Sequence, residues 1–299
     1  HTRFKCDWSS DVCSSDLLHG GVGNDHFFAH SATLHGKKAT GSKVVVSDTT
    51  VQENNTTFPT GAKLAKKVTD ACSPLAQKEG VAQRQTYKRV SKQAVRGTHN
   101  GKHPKRRKKA KRARRKLRTW AGRLVRELER KLSGEQLAGH GGRPALFKQV
   151  LAQRKSDKDK IYSLHKTFTA CIAKGKAHKQ YEFGNKVGLA IDPDSLVVLA
   201  VEAFEGNPND GKTIKPLLEQ MEGNFKKLPN EVVHDRGARG IGHVKGVKVS
   251  IPGKPLKRDT EWQKRSKRKK FRRRAAIEPV IGHLKTDFRM GQNYLHGKQ

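Results

Sequence analysis

The stretch KVVVSD at residues 43–48 contains the clearest strand signal of the chain and an acidic residue at its end. Three consecutive valines are typical of a strand that is buried on both faces of a sheet. The pattern predicts that this strand stops at Asp48, which places a carboxylate at a strand end. A second valine-rich strand is predicted at residues 231–234, and Asp235 follows it. If the two strands are adjacent and parallel, Asp48 and Asp235 should lie side by side at one edge of the sheet.

Helix and strand patterns alternate after the first strand. A turn-rich stretch leads into a basic, helical region at about residues 61–185, which carries little strand propensity. Residues 186–191 and 196–204 are apolar and are joined by the turn residues DPDS, which predicts a β-hairpin. A helix is predicted at residues 214–226 and a further strand at residues 246–251. This order predicts an α/β fold, a mixed sheet flanked by helices with a long basic helical insertion after the first strand.

The composition indicates the class of partner. The chain carries 64 Lys and Arg against 27 Asp and Glu, a formal net charge of +37. Such an excess points to phosphate backbones or to anionic membrane surfaces. No apolar run is long enough to cross a bilayer, and the mean hydropathy is −0.82, so we expect nucleic acid and no membrane partner. The four cysteines are unevenly scattered, which fits free thiols in a reducing cytoplasm.

The densest positive charge lies at residues 102–118, where twelve of seventeen positions are Lys or Arg. Apolar residues follow at helical spacing beside this block, at Leu117, Ala121, Leu124, Leu128 and Leu132. We therefore predict a helix that packs through one face and contacts DNA phosphates through the other. A solvated or disordered charge run is the alternative. The predicted DNA-binding residues are Lys105, Arg106, Arg107, Lys108, Lys109, Lys111 and Arg112.

The sequence of the first 42 residues predicts an artefactual or disordered segment. Residues 6–17, CDWSSDVCSSDL, look like translated sequencing-adapter sequence and are left out of the fold interpretation. A zinc site is the alternative, with candidate ligands Cys6, Cys13, His26, His30 and His35. The Cys-x6-Cys spacing is wider than the usual spacing of structural zinc sites and argues against it.

A third carboxylate is predicted on a helix near the C-terminal end, within residues 271–285, FRRRAAIEPVIGHLK. At 100° per residue, the polar face gathers four residues within an arc of about 60°: Phe271, Arg274, Glu278 and Lys285. The neighbouring arc is apolar and can anchor the helix on the sheet: Ile277, Ile281, Leu284 and Phe288. An ordinary salt bridge between Arg274 and Glu278 is the rival interpretation. Pro279 predicts a late start or a kink of this helix.

Converging carboxylates are what two-metal phosphodiester chemistry requires, because they hold two divalent ions about 4 Å apart. Asp48, Asp235 and Glu278 are the candidates, since strand ends and a helix can bring them together. An Asp after a strand is more often a turn former or helix cap than a metal ligand. That structural role is assigned to the remaining candidates, Asp192, Asp194, Asp210 and Asp259.

At these motifs the sequence resembles the bacterial insertion-sequence DDE transposases with the C-terminal signature Tyr-x2-Arg-x3-Glu-x6-Lys. Arg274, Glu278 and Lys285 match that spacing, and Phe271 stands in place of the tyrosine. Three further stretches look like the same family: VVVSDTTVQENNTTFPTGAKL at 44–64, CIAKGKAHKQYEFGNKVGLA at 171–190 and VVHDRGARG at 232–240. Together the resemblance covers residues 43–299.

The resemblance implies a ribonuclease H-like catalytic domain at residues 43–299, interrupted by the basic insertion at about 61–185. Asp48, Asp235 and Glu278 would be catalytic metal ligands for two Mg²⁺ ions, with Mn²⁺ as a substitute. Arg274 and Lys285 would hold phosphates. The expected reaction is DNA transposition: cleavage at the transposon ends, then strand transfer of the freed 3′-hydroxyl into target DNA.

The same resemblance carries expectations about partners and completeness. We expect double-stranded DNA as the partner, both the terminal inverted repeats of the mobile element and the target, bound by a dimer in the bacterial cytoplasm near the nucleoid. Relatives carry helical segments before the first Asp and after the Lys, so both ends are expected to be truncated, and an inactive fragment is one alternative. The others are a non-catalytic basic nucleic-acid-binding protein, for which charge alone would suffice, and a ribonuclease H-like nuclease that cuts without joining.

Overall fold

The computed structural model describes residues 43–140, 142–154, 156–174 and 179–295. The adapter-like stretch at 6–17, the alternative zinc ligands and the whole segment 1–42 lie outside the described residues. Within the described part, the chain forms two units. One contains residues 43–55 and 170–295, and the other contains residues 56–169.

The first unit is built on a mixed sheet of eight strands flanked by helices, which confirms the predicted ribonuclease H-like fold class. Its strands are β1 (Val44–Asn54), β2 (Ala170–Ala173), β3 (Tyr181–Ile191), β4 (Val198–Phe204), β5 (Glu231–Val233), β6 (His243–Val244), β7 (Val247–Ser250) and β8 (Gln292–Asn293). The spatial order is β2-β3-β1-β5-β7-β6, with β4 paired to β3 and β8 paired to β1. The β3/β4 pair is the predicted antiparallel hairpin.

Strand β1 is longer than its valine pattern predicts, so the expectation that it stops at Asp48 is wrong. It pairs antiparallel with β3 as far as Glu53, opposite Gly184. Thr49, Thr50 and Val51 have branched side chains that favour extended backbone, and they prolong the strand. The two strands also approach very closely, because a Cβ at Gly184 would lie 1.9 Å from a backbone oxygen of Gln52. Asp48 therefore lies within the strand rather than at its end.

The second unit is helical. Its helices are α1 (Gly61–Lys78), α2 (Lys88–Arg96), α3 (Pro104–Lys131), α4 (Gly134–Gly139) and α5 (Arg143–Ala152). Helix α3 contains most of the basic block, and the predicted apolar stripe from Leu117 to Leu128 is buried. The stripe packs with apolar residues of α1 and α5 in one core. The sheet resumes at Ala170, so β2 and the start of β3 fall inside the range of about 61–185 that sequence patterns assign to the insertion.

Helices of the first unit cover the sheet and carry the C-terminal motif. They are α6 (Asp210–Phe225), α7 (Glu261–Ala275) and α8 (Ile277–Thr286). The C-terminal helix is interrupted between α7 and α8, which confirms the late start or kink predicted at Pro279. Pro279 explains the break, because its ring clashes with the carbonyl four residues earlier, that of Ala275. None of the helices in the described part of the chain has both the length and the apolar character of a bilayer span.

The two C-terminal helices are held on the first unit by different means. Helix α8 is anchored by Ile277, which is fully buried, and by the partly buried Ile281 and Leu284. The sequence pattern also assigns Phe288 to this anchor, but Phe288 lies beyond the end of α8 and is 55% exposed. Helix α7 has no buried residue at all, and its first turn is closed by a capping box.

Candidate active site

Asp48 and Asp235 meet because β1 and β5 are parallel neighbours. Val46 of β1 lies opposite Val233 of β5, so each aspartate stands two residues further along its own chain. Asp48 is buried, and its Oδ1 accepts a 2.7 Å hydrogen bond from the Thr49 N–H. Asp235 caps a short 3₁₀ turn, and its Oδ1 accepts a 2.7 Å hydrogen bond from the Gly237 N–H. The strands thus meet the condition stated from the sequence, adjacent and parallel, and bring the two carboxylates to one site.

Arg274 links Glu278 to the two aspartates, because its guanidinium contacts both Glu278 and Asp48. The Arg274 guanidinium lies 3.1 Å from Asp48 Oδ2 and 3.5 Å from Glu278 Oε1. The predicted i,i+4 pair between Arg274 and Glu278 therefore exists, but the same guanidinium also contacts a strand 226 residues away in sequence. That second contact distinguishes the arrangement from an ordinary helix-surface salt bridge. The Glu278 side chain is 63% exposed, so its rotamer is set by the ion pair with Arg274 and not by packing.

The two aspartates experience opposite electrostatic environments. Burial raises the pKa of Asp48, and the nearby Asp235 charge adds to that effect, whereas the Thr49 N–H and Arg274 oppose it. The hydrogen bond with His234 holds the pKa of Asp235 down at about 2, against the effect of burial. Paired carboxylates whose pKa values are driven apart are typical of sites that bind cations or transfer protons.

Unsatisfied polar atoms surround the same carboxylates. His234 is fully buried, and its Nδ1 lies 3.1 Å from Asp235 Oδ1. In the part of the chain that the structure describes, His234 Nε2 and Arg274 Nε are buried without a hydrogen-bond partner. Buried polar atoms normally find partners, and exceptions concentrate at functional sites.

The donor set suits a hard divalent cation, because carboxylate oxygens are the preferred ligands of Mg²⁺. Nevertheless, among residues 43–140, 142–154, 156–174 and 179–295, no three His, Cys, Asp or Glu side chains lie close enough together to hold a metal ion. Arg274 accounts for this, since it separates Glu278 from Asp48. The residue types fit the cation, whereas the third carboxylate lies on the far side of a guanidinium.

Lys285 and Phe271 lie apart from this cluster. Lys285 is partly buried on α8, where burial lowers its pKa, and the carboxylates that act on it are those of Glu182 and Glu53. Glu53 is near the far end of β1, so Lys285 and Arg274 mark different positions along that strand. Phe271 is 52% exposed on α7. The sequence predicts that Phe271 and Lys285 share one helix face with Arg274 and Glu278. Because the helix is interrupted at Ala276, the 100° spacing does not continue from α7 into α8.

The predicted DNA-binding block lies on the first half of α3 in the helical unit. All seven of its residues, Lys105, Arg106, Arg107, Lys108, Lys109, Lys111 and Arg112, are exposed. Ala110 between them is fully buried, which fixes the orientation of the helix. The block is therefore part of a folded helix and not a disordered segment, while its role in binding DNA stays a prediction.

Several residues of the candidate site are not predicted from the sequence. They are Thr49, Lys186, Asp210, His234 and Gly237, which contact the aspartates or the residues next to them. Lys186 could have been predicted from the sequence, because a lone Lys in the apolar strand KVGLAI needs a partner for its charge. Sequence patterns assign Asp210 to turns and helix caps, and no local pattern separates it from Asp192 or Asp259.

The C-terminal part of the chain matches a known family. Residues 151–299, just under half of the 299-residue chain, match the family model of the transposase DDE domain. The matched segment contains Asp235, Arg274, Glu278 and Lys285, and Asp48 lies outside it. No curated protein and no solved structure matches the chain. The family match, together with the mixed α/β sheet, supports a DDE transposase.

Proposed function

We propose that this chain is an insertion-sequence transposase that cuts DNA at the transposon ends and joins the freed 3′-hydroxyl to target DNA. The observation that carries the proposal is the double contact of Arg274 with Asp48 and Glu278, beside Asp235. Three acidic residues from a strand, a strand end and a helix are thereby linked within one fold. In this proposal, residues 43–299 act as the catalytic domain, with the helical unit inserted after β1.

Each residue of the cluster has an assigned role. Asp48 and Asp235 would hold a divalent cation, and Glu278 would complete the set by turning its exposed side chain away from Arg274. Two Mg²⁺ ions, or Mn²⁺ in their place, would activate the attacking oxygen and stabilise the leaving oxygen. Arg274, released from the carboxylates, can donate to a DNA phosphate through its planar guanidinium. Lys285 is proposed to hold a second phosphate further along β1.

The proposal also names the partners. Double-stranded DNA, first the terminal inverted repeats and then the target, would be bound by a dimer in the bacterial cytoplasm. The net charge of +37 supports a polyanionic partner. A non-catalytic DNA-binding protein would share that charge, but it has no use for three acidic residues around Arg274. A nuclease with the same fold would need the acidic residues and would not join strands.

The test is a cleavage and joining assay with the full chain. Linear DNA that ends in the repeats flanking the gene, each with a labelled strand, is incubated with a supercoiled target plasmid. We expect labelled plasmid products with millimolar Mg²⁺ or Mn²⁺ and none with EDTA. Binding without cleavage would support the non-catalytic alternative. Cleavage without labelled plasmid would support the nuclease.

The exposed basic block on α3 carries a separate prediction. Changing Lys105, Arg107, Lys109 and Arg112 to Gln should weaken binding to all DNA sequences alike and reduce the salt dependence of binding. The slope of log K against log salt should fall by about one for each phosphate that is no longer neutralised. Fluorescence anisotropy with two unrelated duplexes at several salt concentrations measures both effects. Weaker binding to one duplex alone would contradict a role in phosphate binding.

A further inference from the structure

Lys186 is a buried cation on β3, next to the strand that carries Asp48. Only 9% of its side chain is exposed. Its Nζ donates to Asp210 Oδ1 at 2.8 Å and to the Pro208 carbonyl at 2.6 Å. A buried ammonium group is costly unless it is paired and hydrogen-bonded. Lys186 therefore holds the Asp210 carboxylate in one place at the first turn of α6.

Asp210 in turn contacts the residue that follows Asp48. The Thr49 hydroxyl donates to Asp210 Oδ1 at 2.9 Å, and the Thr49 N–H donates to Asp48 Oδ1 at 2.7 Å. One residue of β1 is thus fastened to Asp210 through its side chain and to Asp48 through its backbone. A shift of Asp210 would be transmitted to the backbone that orients Asp48.

The other oxygen of Asp210 packs against the peptide that orients Asp235. Gly237 donates its N–H to Asp235 Oδ1, and a Cβ at Gly237 would lie 2.1 Å from Asp210 Oδ2. Any side chain at this position would displace the Asp210 carboxylate. A second close approach fixes the same junction, because a Cβ at Gly211 would lie 2.2 Å from the Ile241 Cδ1. The start of α6 is therefore fitted tightly to the turn after Asp235.

From these contacts we infer that Asp210, held by Lys186, is a positioning residue that sets the separation of Asp48 and Asp235. It touches the residue after one aspartate and the peptide that hydrogen-bonds the other, so it connects the two backbones independently of the sheet. The inference rests on the proposed function, in which both aspartates hold a divalent cation. Residues that orient metal ligands typically change metal affinity or activity about 10- to 100-fold when they are replaced.

The test compares Asp210→Asn with Glu222→Gln in the full chain. Glu222 lies on the same helix and pairs with Lys245, so its replacement also removes one charged partner, away from the aspartates. Mn²⁺ binding without DNA is measured by water-proton relaxation, and cleavage is measured as a function of Mg²⁺ concentration. For Asp210→Asn we expect roughly tenfold weaker Mn²⁺ binding and a roughly tenfold higher Mg²⁺ concentration for half-maximal cleavage, with largely restored cleavage at saturating Mg²⁺. Glu222→Gln should behave like the parent.

Thr49→Val supplies a second, milder variant, because it removes only the hydroxyl contact with Asp210. It should shift the metal dependence in the same direction, and its effect should not add to that of Asp210→Asn. If Asp210→Asn and Thr49→Val both match Glu222→Gln while Asp235→Asn is inactive, the inference is wrong and the proposed function stands. If Asp235→Asn cleaves like the parent, the proposed function is wrong, and the inference that rests on it is wrong as well.

Discussion

Asp235→Asn is expected to abolish metal-dependent DNA cleavage while leaving the fold intact. The pKa of Asp235 is held at about 2, so this carboxylate is ionised throughout any practical pH range. Asn has nearly the same size and can still accept the Gly237 hydrogen bond, but it carries no negative charge for a divalent cation. We expect cleavage to fall by more than about 100-fold, the upper end of the effect of replacing a residue that only orients a metal ligand. Asp48→Asn and Glu278→Gln should act in the same direction.

Glu219→Gln is the matched control. Glu219 also belongs to the first unit, but its side chain is 47% exposed and pairs with Lys215 and Lys245 on the surface. Its replacement should leave cleavage unchanged, and circular dichroism spectra of all variants should superimpose. Cleavage by Asp235→Asn at the parental rate would overturn the assignment of the acidic cluster as a catalytic site.

Ile277→Ala should destabilise the first unit by about 2–5 kcal/mol, the usual range for removing a fully buried aliphatic side chain. Ile277 is the first residue of α8, is completely buried and packs in the core formed by β1, β3 and β5. It also precedes Glu278 directly. Loosening this anchor should therefore free the helix that carries the third carboxylate, and cleavage should fall together with stability.

A chain with two compact units need not unfold in a single two-state transition, so the measurement must report on the first unit. Amide hydrogen exchange of β1 and β3 in increasing urea provides that readout. Leu256→Ala is the control, because the Leu256 side chain is 48% exposed. If the two variants lowered the free energy of unfolding equally, Ile277 would not be the anchor that the buried contacts indicate.

Much of the sheet could be predicted from the sequence because burial on both faces leaves valine runs that periodicity detects. The hairpin and the existence of β1 and β5 follow from such runs, whereas the strand order that makes β1 and β5 parallel neighbours does not. The valine run underestimates the length of β1: Thr49, Thr50 and Val51 favour extended backbone, and pairing with β3 carries the strand on through its polar end. Tertiary pairing of this kind is not encoded within the strand itself.

Long-range side-chain contacts explain the remaining differences. Helical spacing places Arg274 beside Glu278, but nothing in the local sequence indicates that the guanidinium also reaches Asp48. Likewise, Asp210 is indistinguishable from other turn-forming aspartates until the fold places Lys186, Thr49 and Gly237 around it. Lys285 fits the spacing of a signature, yet the broken helix places it beside Glu182 and Glu53.

Helix α7 contributes three ion pairs to its contacts with the first unit. Lys270 pairs with Glu231, Arg273 with Asp194 and Arg274 with Asp48, while no side chain of the helix is buried. The exposed Arg273–Asp194 pair contributes at most about 1 kcal/mol, whereas the other two pairs involve largely covered carboxylates and are screened less by salt. We therefore expect rising salt to weaken the Arg273–Asp194 pair first, while Arg274 stays paired with the buried Asp48. DNA phosphates would compete with Glu231, Asp194 and Asp48 for these three cationic side chains, so bound DNA is expected to loosen the same contacts that salt weakens.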